Sequence, residues 1–189
     1  MKTTLNLIRA HSPCRAGWAR LLANLGKTKA DDEELLITTI LESNGVDDAL
    51  WCLRAVEGHE RKIRLFAVEC ARSVQYLMTD TRSINAINVS ERFANGLATP
   101  EELRAAEVAA EYAARDAGCF AKCTAAEYAA WDIACIAAGT AAHTTAWDIA
   151  EEYDAWTAGC FAACIVGGNA ARDAQANLLI LVCEGCFDE

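Results

Sequence analysis

Two thirteen-residue segments, EYAARDAGCFAKC at 111–123 and EYDAWTAGCFAAC at 152–164, agree at nine positions, and each sets two cysteines four apart behind a glycine. The pairs are Cys119 with Cys123 and Cys160 with Cys164. A four-residue step returns to one helix face, so two antiparallel helices could offer four thiolates to a zinc ion. Structural zinc cysteines more often occupy C-x₂-C turns, however, and of basic residues only Lys122 stands close enough to favour thiolates. Gly118 and Gly159 instead admit a close neighbouring backbone. The repeated segments therefore read as small-residue helix packing with reduced, metal-free thiols. The single C-x₂-C, Cys183 to Cys186, has no second half and no βαβ setting for a redox motif, and reads as a fraying tail.

Nucleophilic chemistry finds no better footing. Cys135 and His143 are eight residues apart, about 12 Å along one helix, and Gly139-Thr140 breaks the helix between them. His11 and His59 are expected at helix starts, as solvated or capping groups. No catalytic, cofactor-binding or metal-binding residue is assigned, and the chain reads as non-enzymatic.

Acids and tryptophans carry the remaining signal. Asp132, Asp148, Glu151, Glu152 and Asp154 form a candidate negative stripe that would imitate nucleic-acid phosphates, or else keep an alanine-rich surface soluble; their irregular spacing suits the second role. Trp131, Trp147 and Trp156 are expected as core anchors, but a part-exposed tryptophan beside acids is also what an interface hot spot uses. The candidate partner-binding set is accordingly Asp132, Asp148, Glu151, Glu152, Asp154, Trp147 and Trp156. Arg54, Arg61, Lys62 and Arg64 surround the Gly58 turn, where Asp47, Glu57 and Glu60 offset them; direct nucleic-acid binding is not expected there.

The elements that must hold these residues are helical. From 101 to 180 there are 27 alanines, which favour helix and let helix axes approach closely. WDIA recurs at 131–134 and 147–150, and AARDA at 113–117 and 170–174, as irregular echoes of duplicated units. In the first half, Ser12-Pro13 is expected to open a helix over Cys14 to Leu25 that Gly26 closes. The acids of Asp31 to Glu34 are expected to open a second, running to Glu42 and stopped by Ser43-Asn44-Gly45. VDDALWCLRAVE gives a third, ending at Gly58. A helix over His59 to Met78 should bury Ile63, Phe66, Ala67, Cys70, Val74 and Leu77. Asp80 should cap a helix to Phe93 with Asn95-Gly96 as its exit, and Thr99-Pro100-Glu101-Glu102 is a capping box.

Composition sets the class. The 189 residues can bury one core, and no 18-residue uncharged apolar run or convincing signal peptide is present, so a cytoplasmic, non-membrane protein is expected. Ten cysteines then belong to a reducing compartment. Charge divides sharply: residues 1–98 carry 13 Lys or Arg against 12 Asp or Glu, whereas 99–189 carry 4 against 15. Such an acidic half attracts basic partners and repels nucleic acid.

Residues 11–103, from HSPCRAGWARLL through NGLATPEEL, resemble a family of bacterial and phage-borne proteins of unknown function. In that family a similar block precedes an alanine-rich tail of WDAA- and RDAA-like units, matched here by Trp131-Asp132, Trp147-Asp148 and Arg115-Asp116. Residues 79–117 are also similar to a segment shared by immunity proteins. The resemblance implies a mobile-element context, an all-helical fold and a role in binding another protein.

The resulting expectation is one all-α domain over 1–189, a multi-helix bundle or stack, with a mixed-charge half at 1–96 and an acidic alanine-rich half at 97–189. Its expected function is to bind and block a protein partner with a basic surface, as a phage-encoded inhibitor of a bacterial defence complex such as an anti-CRISPR would. The alternatives are an immunity protein that neutralises a toxin, a zinc-dependent or thiol enzyme, and a structural phage accessory protein. Sequence leaves the oligomeric state open.

Overall fold

The computed structural model describes residues 1–73, 75–78, 80–119 and 169–185. They form an all-α fold with one short antiparallel pair of strands. In chain order the elements are β1 (Lys2–Thr3), α1 (Leu5–Ala10), α2 (Arg15–Asn24), β2 (Leu35–Leu36), α3 (Ile37–Asn44), α4 (Val46–Cys52), α5 (Glu60–Arg72), α6 (Thr81–Ala94), α7 (Pro100–Cys119) and α8 (Asn169–Glu184), with 3₁₀ turns at Leu53–Ala55 and Gln75–Leu77.

Local chemistry accounts for several boundaries. The Thr4 hydroxyl accepts from the Leu7 amide at 3.1 Å and starts α1. Helix α2 ends with Gly26 at φ +63° while the Lys27 amide donates to the Leu22 carbonyl at 2.9 Å, a Schellman closure that needs a left-handed residue at that point. Asn95-Gly96 ends α6 the same way, with the Leu97 amide on the Arg92 carbonyl at 2.7 Å. Asp80 caps α6 through the Arg82 amide at 2.8 Å. Thr99 and Glu102 make both arms of the capping box, at 3.2 and 2.7 Å.

Three local expectations are corrected. Ser12 is not an N-cap: it stands at φ +56°, and Cys14 caps α2 with its sulfur accepting from the Gly17 amide at 3.3 Å. Asp31 to Glu34 do not open a helix, because each acid has a partner in the loop or at the start of the chain. Lys27 holds Asp31 and Glu33 at 2.7 Å, Asn6 holds Asp32 at 2.9 Å, and Lys2 holds Glu34 at 2.6 Å. This arrangement delivers Leu35–Leu36 to the first strand, with Lys2 opposite Leu36, and α3 starts only at Ile37. Finally, α5 stops at Arg72 and Leu77 falls in the separate 3₁₀ turn, so the helix does not run to Met78; Phe66, Ala67 and Cys70 are buried as expected, and Val74 lies outside the described residues.

Packing gathers these helices around a main core. Leu5 and Ile8 of α1, Leu21 of α2, Ile37 and Ile40 of α3, Leu50 of α4 and Phe66 of α5 meet Leu179 and Val182 of α8 there. Each large side chain buried in this way contributes roughly 1.5–3 kcal/mol. Helix α8 lies against α3, α4 and α5, so chain from the acidic half completes a core built from the first half. A second cluster joins Ala86 and Val89 of α6 to Leu103, Ala106 and Ala110 of α7, where alanines let the two helices approach closely.

Candidate functional site

A cleft of about 270 Å³ lies between α2, the end of α3 and α4. Its position follows from the turn at Ser12. The left-handed Ser12 and Pro13 redirect the chain from α1 into α2, which places Pro13 and Cys14 at one side and Trp18 and Leu21, from the next turn of α2, along the wall. Opposite them, α4 presents Asp47, Asp48, Trp51 and Cys52. Steps of four residues put Asp47 over Trp51 and Asp48 over Cys52 on that helix. Ile8 and Ile40 form the floor, both at the edge of the main core.

Asn44 sets the spacing of the two walls. Its side-chain amide donates to the Gly17 carbonyl at 2.9 Å and to Asp48 Oδ2 at 2.8 Å, which ties the first turn of α2 to the first turn of α4. Arg20 donates to the Asn44 carbonyl at 3.1 Å and stands 3.8 Å from Asp48 Oδ2. Asp47 and Asp48 also lie in the first turn of α4, where the helix dipole favours negative charge. Trp51 is half-buried, with the Arg54 guanidinium 4.3 Å from its ring centroid and the Arg54 Nε donating to the Trp51 carbonyl at 3.0 Å.

The titratable groups around the cleft differ in readiness. Burial, and secondarily the charge of Asp48, pushes the Cys52 thiol up to about 12, so it stays protonated. Cys14 is exposed at the mouth. His11 ends α1 instead of starting a helix; desolvation, then Arg54, lowers its pKa.

Other predicted groups fall elsewhere. Asp132, Trp147, Asp148, Glu151, Glu152, Asp154 and Trp156 lie outside the described residues, as do Cys123, Cys160, Cys164, Cys135, His143 and Cys186. Cys183 is no fraying tail: it lies in α8, partly buried against the main core, and burial raises its thiol pKa. The basic residues near Gly58 are dispersed. Arg64 is buried over Phe93 at 4.7 Å, its pKa brought down to about 10 by desolvation, while Arg61 donates to Asn95 Oδ1 at 2.8 Å. No group of three or more metal-ligating side chains occurs among the described residues. Nor is any described helix long and apolar enough to cross a membrane.

The cleft residues Trp18, Asp48 and Trp51 were not singled out by sequence reasoning. The one local signal was the run DDALW, which sets an acid and a tryptophan four apart on a helix. No family model, curated protein or solved structure matches the chain.

Proposed function

We propose that the chain is a non-enzymatic binding protein that docks on a basic protein partner and blocks it, in the manner of a phage- or mobile-element-encoded inhibitor of a nucleic-acid-handling defence complex (anti-CRISPR-like). The observation that carries this reading is the cleft, where two tryptophans and two carboxylates share one surface recess. Large aromatic side chains beside a polar rim are the usual anchors of protein interfaces. The excess of 15 acids over 4 basic residues after residue 98 supports it, since opposite charge steers association.

The test uses the full chain, tagged, as bait in lysate of a bacterial host, followed by association kinetics with the recovered partner over a range of salt. A basic partner whose association slows with added salt, and slows again when Asp148, Glu151, Glu152 and Asp154 are replaced by lysine, supports the reading. A partner bound by parent and four-lysine variant at the same rate, with the same salt response, overturns the charged interface. Turnover of a substrate by the purified chain would overturn the non-enzymatic assignment.

A further inference from the structure

We infer that the cleft between α2 and α4 receives one arginine side chain of the partner protein, its guanidinium directed to Asp48 and its stem packed between Trp18 and Trp51. The inference deepens the binding reading above and rests on it.

Size limits the occupant first. A cleft of about 270 Å³ lies at the small end of the roughly 300–1,000 Å³ typical of ligand pockets, and has room for a single long side chain. Charge selects next. Asp47 and Asp48 line the cleft, and no lysine or arginine is among its lining residues. Asp48 is held in place by Asn44 at 2.8 Å, while Arg20 remains 3.8 Å away with over half of its side chain exposed. A guanidinium that enters the cleft can therefore come closer to this carboxylate than Arg20 does.

Shape and polarisability then favour arginine over lysine. The planar guanidinium is less strongly hydrated than an ammonium and stacks on indole faces, and its aliphatic stem packs on apolar walls. The molecule already uses this contact, with Arg54 over the Trp51 ring at 4.3 Å. Arg54 does not line the cleft, so the incoming side chain meets Trp51 from the cleft side. Ile8, Leu21 and Ile40, buried in the main core, complete the cleft lining with apolar surface for the stem.

The experiment titrates the full chain with three blocked tripeptides, acetyl-Gly-Xaa-Gly-amide, in which Xaa is arginine, lysine or citrulline. Tryptophan fluorescence and amide chemical shifts report binding. The arginine peptide should bind with shifts centred on Trp18, Trp51 and Asp48, about tenfold more tightly than citrulline, which keeps the shape and lacks the charge. Asp48→Asn should weaken arginine binding about tenfold, and Trp18→Leu should do so without changing the salt dependence. Thermal melting of each variant controls for folding; a variant that melts early is replaced by Trp51→Leu, to which the same expectation applies. Equal binding of citrulline and arginine, shifts away from the cleft, or no binding by the arginine peptide would overturn the assignment. A recovered partner that binds Asp48→Asn as tightly as the parent would also overturn it, yet leave the binding function standing.

Discussion

The carboxylate of Asp48 occupies the space a side chain at Gly17 would need: a Cβ built on Gly17 would lie 2.8 Å from Asp48 Oδ2 and 3.2 Å from Cys14 Sγ. Helices α2 and α4 approach at this point because residue 17 has no side chain. Asn44 then locks the carboxylate there through its paired hydrogen bonds. In Gly17→Ala the helix gains about 1 kcal/mol of propensity, while forcing Asp48 aside costs roughly 1–3 kcal/mol. A net loss of about 1 kcal/mol is expected in urea unfolding. In an Asp48→Ala background the same change should stabilise, and a cycle without that reversal of sign would show that the contact is unimportant.

The capping box of α7 should act as a coupled pair. Thr99→Ala and Glu102→Ala each remove one of two reciprocal bonds and should each cost about 1 kcal/mol. Their double variant should lose clearly less than the sum, because either change already disrupts the motif. Strict additivity in denaturant midpoints would mean that the two bonds act independently.

Stability at low pH should depend on Asp80. Its pKa lies below the ordinary carboxylate value, chiefly because Arg82 bonds to it and also because it caps the Arg82 amide. Its contribution is thus present above the unfolded pKa, near 4, and is lost as pH falls through the lower folded value. Asp80→Asn keeps a cap without the titration. The parent should lose more stability than this variant between pH 5 and about 2, as measured by thermal melting.

Thiol reactivity should follow burial. Cys14, exposed at the cleft mouth, should be alkylated within minutes at pH 8, while Cys52 and Cys70 react only as the protein unfolds. Because the Cys52 pKa is raised to about 12, its stabilising contribution holds below the unfolded value, near 9, and is lost as pH rises towards 12. Mass mapping of labelled peptides with and without urea checks the order. Rapid labelling of Cys52 in the native protein would contradict its burial.

Ser90 Oγ is fully buried in α6 with no hydrogen-bond partner among the described residues. Removing an unsatisfied hydroxyl while keeping the volume nearly constant should stabilise, so Ser90→Ala is expected to gain about 1 kcal/mol. Loss of stability instead would indicate a partner for the hydroxyl in solution.

What the sequence determined by itself was the helical class and the punctuation of its most local elements. Capping at Asp80 and Thr99 and closure at Gly26 and Gly96 depend on groups within a few residues, so their signatures are complete in the chain. The acids of 31–34 show where that logic ends. Their composition suits a helix start, but Lys2, Asn6 and Lys27, two of them distant in sequence, claim them for a loop. Likewise Cys183 looked like tail because its partial burial depends on a main core built largely from residues over a hundred positions earlier. The cleft belongs wholly to tertiary structure. Trp18 and Trp51 are 33 positions apart and share no motif; only the turn at Ser12, the bare Cα of Gly17 and the Asn44 bridge bring α2 and α4 close enough to set the rings and Asp48 around one recess. Local hydrogen bonds are encoded by neighbours, whereas a site between helices depends on packing that no short window of sequence contains.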